Sequence, residues 1–399
     1  MGYQPTKADP DVYIRPAVKK PDIPYYEMVL CYVDDILVIS DNPLATTDEL
    51  KRTFKLKDDK VEEPDMYLGA RVKFKEMNGT ECWTMTSTDY VKTAIANLEE
   101  RLDKTARAQG LDPRKHGLPT RCSTPLSPGS QPELDTSREL NPEGIQHYQE
   151  CIGVLRWACE LGRVDILHEV TILSAHLALP RVGHLQMAYH IFGYLKQQPK
   201  RTLAFDYKYP DLSGSTFIER ENWHEFYRGA KEKIPVDMPP PRGKDVMIQC
   251  FCDADHASDR ATRRSHTGIL IFVNRAPIIW FSKRQNTVET STFGSEFIAM
   301  KIAVELLEAL RYKLRMFGVP IDGPANMFCD NQSVVVNVTV PESTLSKKHN
   351  AIAYHRVREA VAAKIVRVAK EPTETNLADP LTKQLAAPQR TKLFDRWMY

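Results

Sequence analysis

The chain has 399 residues, 27% of them charged and 42% hydrophobic, and a formal net charge of +2. That length holds two or three domains with cores of their own, and the near-neutral balance does not by itself announce a polyanionic partner. Eight dispersed cysteines without a Cys-x-x-Cys pair, and eleven dispersed histidines, leave no quartet at zinc-ligand spacing, so buried free thiols in a reducing compartment are expected. No signal-peptide pattern opens the chain and no apolar run nears membrane-spanning length, so a cytoplasmic or nuclear location without membrane contact is expected.

Residues 1–85 alternate short strands with one polar helix near Thr46–Phe54. Within them Tyr32-Val33-Asp34-Asp35 separates two apolar, strand-length runs, Met28–Cys31 and Ile36–Ile39, and reads as strand, tight turn, strand. Two adjacent carboxylates in so apolar a flank repel each other, and a hard cation such as Mg²⁺ relieves that. Asp is also a normal turn residue, so an Asp-rich hairpin accounts for the same text. Asp89–Leu102 has helical spacing, and a loop-like stretch with six prolines follows over 110–143. Ile145–Leu179 carries two helical patterns and His184–Leu195 a third. Residues 207–244 read as a linker or insertion, since Pro239-Pro240-Pro241 suits neither a central strand nor a helix interior. Trp223, Phe226 and Tyr227 there either stack on bases or pack on a neighbouring domain.

From Asp245 the pattern changes. Val246–Cys252, Thr267–Asn274 and Pro277–Ser282 read as strands, Glu296–Phe317 as a long amphipathic helix, and Asn326–Cys329 as a strand. Gln332–Val338 and Lys347–Ala363 read as helices, Ile365–Ala369 as a strand, and Thr375–Thr382 as a final helix. This is a mixed sheet with helices packed on it. Four carboxylates fall at strand ends and helix starts: Asp253, Glu296, Asp330 and Asp379. Brought to one sheet edge, they would hold two divalent ions roughly 3.5–4 Å apart for in-line hydrolysis of a phosphodiester. Taken singly, helix capping, turns or first-turn charge explain most of them.

Several ordered blocks carry a family resemblance. Tyr32-Val33-Asp34-Asp35 resembles the catalytic hairpin of a reverse transcriptase, and Gly2–Pro10, Tyr67–Val72, Tyr148–Gly153 and Arg163–Ile166 resemble segments of copia-type retrotransposon polymerases. Cys252–Asp255, Ser295–Ala299, Cys329–Ser333 and Leu377–Lys383 resemble the four blocks of the copia-type ribonuclease H domain. Together these span nearly the whole chain. The resemblance implies an α/β and α+β multidomain fold: a partial polymerase palm over 1–85, a helical thumb or connection over 86–206, the linker or insertion over 207–244, and a ribonuclease H-like mixed sheet with helices over 245–399. It implies Asp253, Glu296, Asp330 and Asp379 as nuclease catalytic and metal-binding residues, and Asp34 and Asp35 as part of a polymerase site, with Asp34 a metal ligand.

The implied cofactor is Mg²⁺, two ions at the nuclease site, with Mn²⁺ as a substitute. The implied partners are an RNA/DNA hybrid and, for a full-length ancestor, an RNA template and DNA primer. Arg260, Arg263, Arg264, Lys283, Arg284, Gln285, Asn331, Gln332, Lys347 and Lys348 are the expected nucleic-acid contacts, though some would be ordinary surface charge. Two departures stand out. Gly294 sits where the family often has an acid, and Thr373–Asn376 stand where many ribonucleases H have a histidine; His349 and His355 are either assisting groups or, more commonly for such residues, ordinary surface or core histidines. The expected activity is cleavage of the RNA strand of hybrids, without independent DNA synthesis. The competing expectation is an inactive nucleic-acid-binding relic.

Overall fold

The structure, a computed structural model, describes residues 1–33, 35–55, 61–345 and 348–399. Asp34 and Lys347, both singled out above, lie outside the described residues.

Strands β1 (Gln4–Pro5), β2 (Val12–Lys19), β3 (Ile23–Tyr32) and β4 (Asp35–Ile39) form an antiparallel sheet in that order. Tyr32 pairs with Asp35, which leaves a two-residue turn. Val33 takes a φ of 53° there, a left-handed conformation that a β-branched residue adopts only under strain. Helix α1 (Pro43–Thr53) follows, capped by the Asn42 side chain accepting from the Ala45 amide at 3.2 Å. Arg15 fastens the sheet to this helix, donating to Glu27 at 2.7 Å and to Glu49 at 2.8 Å.

A second sheet holds β5 (Met66–Tyr67), β6 (Ala70–Met77) and β7 (Thr80–Thr86). Helices α2 (Thr88–Ala108), α3 (Pro142–Glu160), α4 (Leu167–Ser174) and α5 (Val182–Gln197) come next, around a core that includes Tyr148, Ile152, Leu155, Leu173 and Ile191. The chain then returns as β8 (Leu203–Phe205) to complete the second sheet beside β7. The single-turn α6 (Trp223–Phe226) buries Trp223, and the Arg358 guanidinium lies 5.0 Å from that ring.

The third sheet has five strands: β9 (Ile248–Asp255), β10 (His266–Val273), β11 (Ala276–Arg284), β12 (Ala325–Cys329) and β13 (Val366–Lys370). Their order is β11-β10-β9-β12-β13, with β9, β10 and β11 antiparallel, and β12 parallel to both β9 and β13. Both faces are covered, and apolar residues of β9 and β12 therefore fall on both sides of the sheet. On one face, Cys250, Cys252, Met327 and Cys329 meet α7 (Thr292–Met316), α8 (Gln332–Thr339) and α9 (Ala351–Ala362). On the other, Phe251, Phe272 and Phe328 meet Leu377, Leu381 and α10 (Ala387–Phe394), together with Val164 and Leu203 from the helical region and second sheet.

Two of the expected elements differ. No helix spans Thr375–Thr382; two short 3₁₀ turns, Thr373–Thr375 and Asp379–Leu381, stand there instead. Pro380 has no amide to donate, and the Asn376 side chain accepts from Ala378 N at 3.1 Å, closing the backbone into a turn. The last helix is α10, further on. The helix expected from Lys347 starts at Ala351, after a 3₁₀ turn over Lys348–Asn350.

Candidate active site

Parallel neighbours β9 and β12 end at the same edge of the third sheet. Their register sets Phe251 against Phe328, which brings Asp253, inside β9, level with Asp330, just past β12. Such carboxyl ends are where open α/β sheets present reactive groups. Glu296 arrives from the face that α7 covers. Ser291 caps that helix, accepting from Gly294 N at 3.3 Å, so Glu296 lies in the second turn rather than opening the helix. Asp379 arrives from the opposite face, on the turn that Pro380 enforces.

Gly268 makes the approach of that turn possible. It pairs with Asp253 across β10 and β9. A Cβ at this position would lie 2.8 Å from the Ala378 carbonyl oxygen and 2.9 Å from Leu381 Cβ. With hydrogen there instead, the 378–382 turn settles directly on β10. Thr382 then donates its hydroxyl to Asp253 Oδ2. Lys383, whose amide bonds the Asp379 carbonyl at 3.1 Å, carries its ammonium back over the same turn. Its Nζ lies 2.6 Å from Asp379 Oδ1 and 3.4 Å from Asp253 Oδ2. Neither Gly268 nor Lys383 was singled out in the sequence; the four-residue spacing from Asp379 to Lys383 was the available signal.

The electrostatics of the group follow from burial and mutual repulsion. Burial first, then the Cys329 thiol and the Asp253 and Asp330 carboxylates, push Glu296 well above the usual carboxylate range. Burial, opposed by Lys383 and reinforced by Asp379, leaves Asp253 raised. Burial and Asp253 raise Asp330. Asp255, further along β9, is pushed up to about 6, chiefly by burial. Lys383 is held protonated because Asp253 and Asp379 outweigh the cost of its burial. Glu296 Oε2 is buried without a hydrogen-bond partner. Ligand atoms of Glu296, Cys329 and Asp330 lie within 4.8 Å of one another. A carboxylate-rich set with an orphaned, buried oxygen and one ammonium fits a hard divalent cation, which prefers oxygen ligands.

The expected nucleic-acid contacts divide. Arg263, Lys283, Gln332 and Lys348 are exposed, and Arg264 is half-buried. Arg260 is engaged by a loop from the helical region: its amide donates to Glu133 Oε1 at 3.0 Å, and its guanidinium donates to the Gln131 side-chain oxygen at 2.9 Å. Arg284 pairs with Asp259. Gln285 is buried and donates to Thr267 Oγ1 at 3.0 Å and the Ser295 carbonyl at 2.9 Å. Asn331 caps α8, accepting from the amides of Ser333 and Val334. His349 lies 3.7 Å from Glu289, and His355 meets the Tyr227 hydroxyl at 2.7 Å, so neither extends the carboxylate group. Asp35 opens β4 as an exposed residue, and among the described residues it joins no cluster of metal-ligating side chains.

The helical region forms one wall beside the carboxylates. A cavity of about 440 Å³ lies between the helical region and the end of β9, bounded by Pro132, His168, Asp255, Arg263, His266 and Lys383, without any of the four carboxylates in its lining. One buried ion pair joins the two sides, Arg390 of α10 donating to Glu169 of α4 at 2.9 Å, and a second lies within the helical region. Arg163 forks onto Asp165 at 2.8 Å through both contacts, and Tyr194 donates to the same carboxylate at 3.0 Å.

No family model matches the chain. It is 25% identical over 363 residues to the Retrovirus-related Pol polyprotein from transposon RE1 of Arabidopsis thaliana, covering 90% of this chain and 20% of that protein. It is likewise 25% identical over 392 residues to that from transposon TNT 1-94 of Nicotiana tabacum, covering 96% and 25%. A putative transposon Ty5-1 protein of Saccharomyces cerevisiae is 24% identical, over 69% of this chain and 72% of that one. The chain thus spans about a fifth to a quarter of the length of the polyproteins it matches. Among solved structures, RNase H1 from Halobacterium salinarum NRC-1 is similar with a TM-score of 0.26 and 16% identity, over 34% of this chain and 94% of that one. LC11-RNase H1 in complex with an RNA/DNA hybrid scores 0.27 at 17% identity, over 34% and 93%. No helix among the described residues is long and apolar enough to cross a membrane. By its sequence the chain is a homologue of the copia-type retrotransposon Pol polyproteins over most of its length.

Proposed function

We propose that residues 245–399 form a ribonuclease H-like unit that hydrolyses the RNA strand of RNA/DNA hybrids. The observation that supports this reading is that Asp253, Asp330 and Glu296 act on one another at one sheet edge and that Lys383 joins Asp379 to Asp253 there, with Glu296 Oε2 buried and, among the described residues, unpartnered. These four side chains are the ones that would hold divalent ions. Bound there, two Mg²⁺ ions, or Mn²⁺ in their place, would supply an activated water and charge stabilisation at the leaving oxygen.

The chain's own residues would do the rest. Thr382 fixes the direction of Asp253, and the proline turn fixes that of Asp379. Gly268 lets the Asp379 turn reach its position. The exposed cations Arg263, Lys283 and Lys348 are those free of the pairings that occupy Arg260 and Arg284, and they are the ones we assign to substrate phosphates. Asn331, Gln332 and Arg264 lie near enough to the Asp330 or Asp253 segments to stand as further contacts. Gln285, buried and fully engaged, is left out of the interface.

The test is a labelled RNA/DNA hybrid incubated with the whole chain and Mg²⁺, beside Glu296→Gln. Cleavage by the wild type alone is the expected result. A wild type that leaves the hybrid intact, or a variant that cuts equally well, removes the assignment.

A further inference from the structure

The carboxylate group already contains a cation. Lys383 Nζ sits between Asp379 and Asp253, 2.6 and 3.4 Å from their oxygens, while both aspartates are almost fully buried. We propose that the Lys383 ammonium is a resident counter-ion of this site: it holds Asp253 and Asp379 together when no metal is bound, and a divalent ion that those carboxylates would hold must displace it. This rests on the reading of the group as a metal-dependent nuclease centre.

Three features support displacement rather than a fixed ion pair. First, one ammonium serves five acids, Asp253, Asp255, Glu296, Asp330 and Asp379, so it compensates only part of the charge, and among the described residues Glu296 Oε2 has no hydrogen-bond partner. Second, the partners are unequal in freedom. Asp253 is built into β9 and held by the Thr382 hydroxyl, and Asp379 is fixed on a proline turn, whereas the Lys383 side chain remains 33% exposed. A four-carbon stem can carry its charged end out to solvent without disturbing the backbone. Third, Lys383 lines the cavity that opens beside the site, so the ammonium has somewhere to go. A group leaving in that direction would stay close to any phosphate held at the carboxylates, where a point charge is useful.

Mutual exclusion has a thermodynamic signature. Two cations competing for one pair of carboxylates show negative coupling, and removing one tightens the other, typically by about 5- to 150-fold for linked sites. The experiment uses the whole chain, stripped of metal by chelation and titrated with Mn²⁺ by calorimetry. Lys383→Met should bind Mn²⁺ roughly tenfold tighter than the wild type, within that coupling range. Lys383→Arg, whose planar fork grips carboxylates in two places, should bind it more weakly. Thermal melts supply a readout that a merely structural pair would not move. Metal-free Lys383→Met should melt below the wild type, and the gap should close at saturating Mn²⁺.

Equal or weaker Mn²⁺ binding by Lys383→Met, or a melting gap that persists at saturation, overturns the proposal while leaving the nuclease reading in place. If Lys383→Met does not fold, Lys383→Arg decides: binding as tight as wild type or tighter overturns it. A wild type that takes up no Mn²⁺ at all overturns both readings.

Discussion

The two acidic groups of this chain sit in opposite settings. Asp35 is exposed at the start of β4, and Val33, two residues before it, is 91% exposed and in a left-handed conformation. Asp253 and Asp379 are 1% and 2% exposed, between a sheet and a turn that closes on it. An acid in an apolar flank need not be buried, and four acids spread over 127 residues can meet at one edge. What decides is the backbone beneath them. A hairpin tip can shed its charges into water at little cost. The parallel ends of β9 and β12 cannot, so the chain supplies Lys383, Thr382 and raised proton affinities instead.

The comparison can be broken at the buried end first. Arg390→Met would strand the Glu169 carboxylate, which is 1% exposed in its side chain. Removing one partner of a buried pair costs about 3–5 kcal/mol, and a urea melt should show a loss of that size. A loss near zero would mean that α4 and α10 are not held together as described. Gly268→Ala places a methyl against the Ala378 carbonyl, which has no flexible side chain to yield. Overpacking of this kind costs about 1–3 kcal/mol, and hybrid cleavage should fall with it because Asp379 rides on the displaced turn. Unchanged melting and cleavage would contradict the close approach.

Acid should separate the regions more gently. Burial alone would raise Asp165, but the Arg163 guanidinium outweighs it and brings the group to about 2. An ordinary aspartate in the unfolded chain titrates near 3.9, so the folded value is depressed. The corresponding stabilisation is therefore fully present above about pH 4 and is lost as pH falls through about 2, amounting to about 2 kcal/mol. Calorimetric melts from pH 5 to pH 2 should fall more steeply for the wild type than for Asp165→Asn; parallel curves would contradict this. The smallest effect is expected at the hairpin. Asp35→Asn should change stability by no more than about 0.5 kcal/mol, as for other exposed positions, and should leave hybrid cleavage unaltered. A large stability change there would mean that the hairpin carboxylate is engaged after all.

Much of the third sheet was legible because its strands are apolar runs bounded by turn residues, and α7 has a wide apolar stripe from Phe297 to Leu314. Cys250 and Cys252, two positions apart on one strand, share a face, and both meet the α7 side. The 375–382 segment misled because Asn376, Asp379 and Thr382 have helix-like spacing, while Pro380 and the Asn376 side chain impose a turn on a local scale that periodicity ignores. β8 was illegible for another reason. Three residues carry too little pattern, and their partner β7 lies more than a hundred residues earlier. At the site, acid types at strand ends could be read, but Gly268 could not. Its role arises from a neighbour 110 residues away in sequence. Gln285 and Arg284 were chosen for their side-chain chemistry, and burial or pairing has already used that chemistry inside the molecule.

The last residues of the chain have a bearing on heredity. Tyr399 exchanges backbone hydrogen bonds with Thr202 at 2.9 and 2.6 Å, and Met398 bridges to Leu203 beside β7. With the Arg390–Glu169 pair, this stitches the tail to segments laid down two hundred residues before it. Recombination between related elements that exchanged only the stretch from 245 onward would join a tail from one lineage to a dock from another. Crossovers that survive should therefore fall upstream of α3, so that both halves of the seam travel as one inherited block.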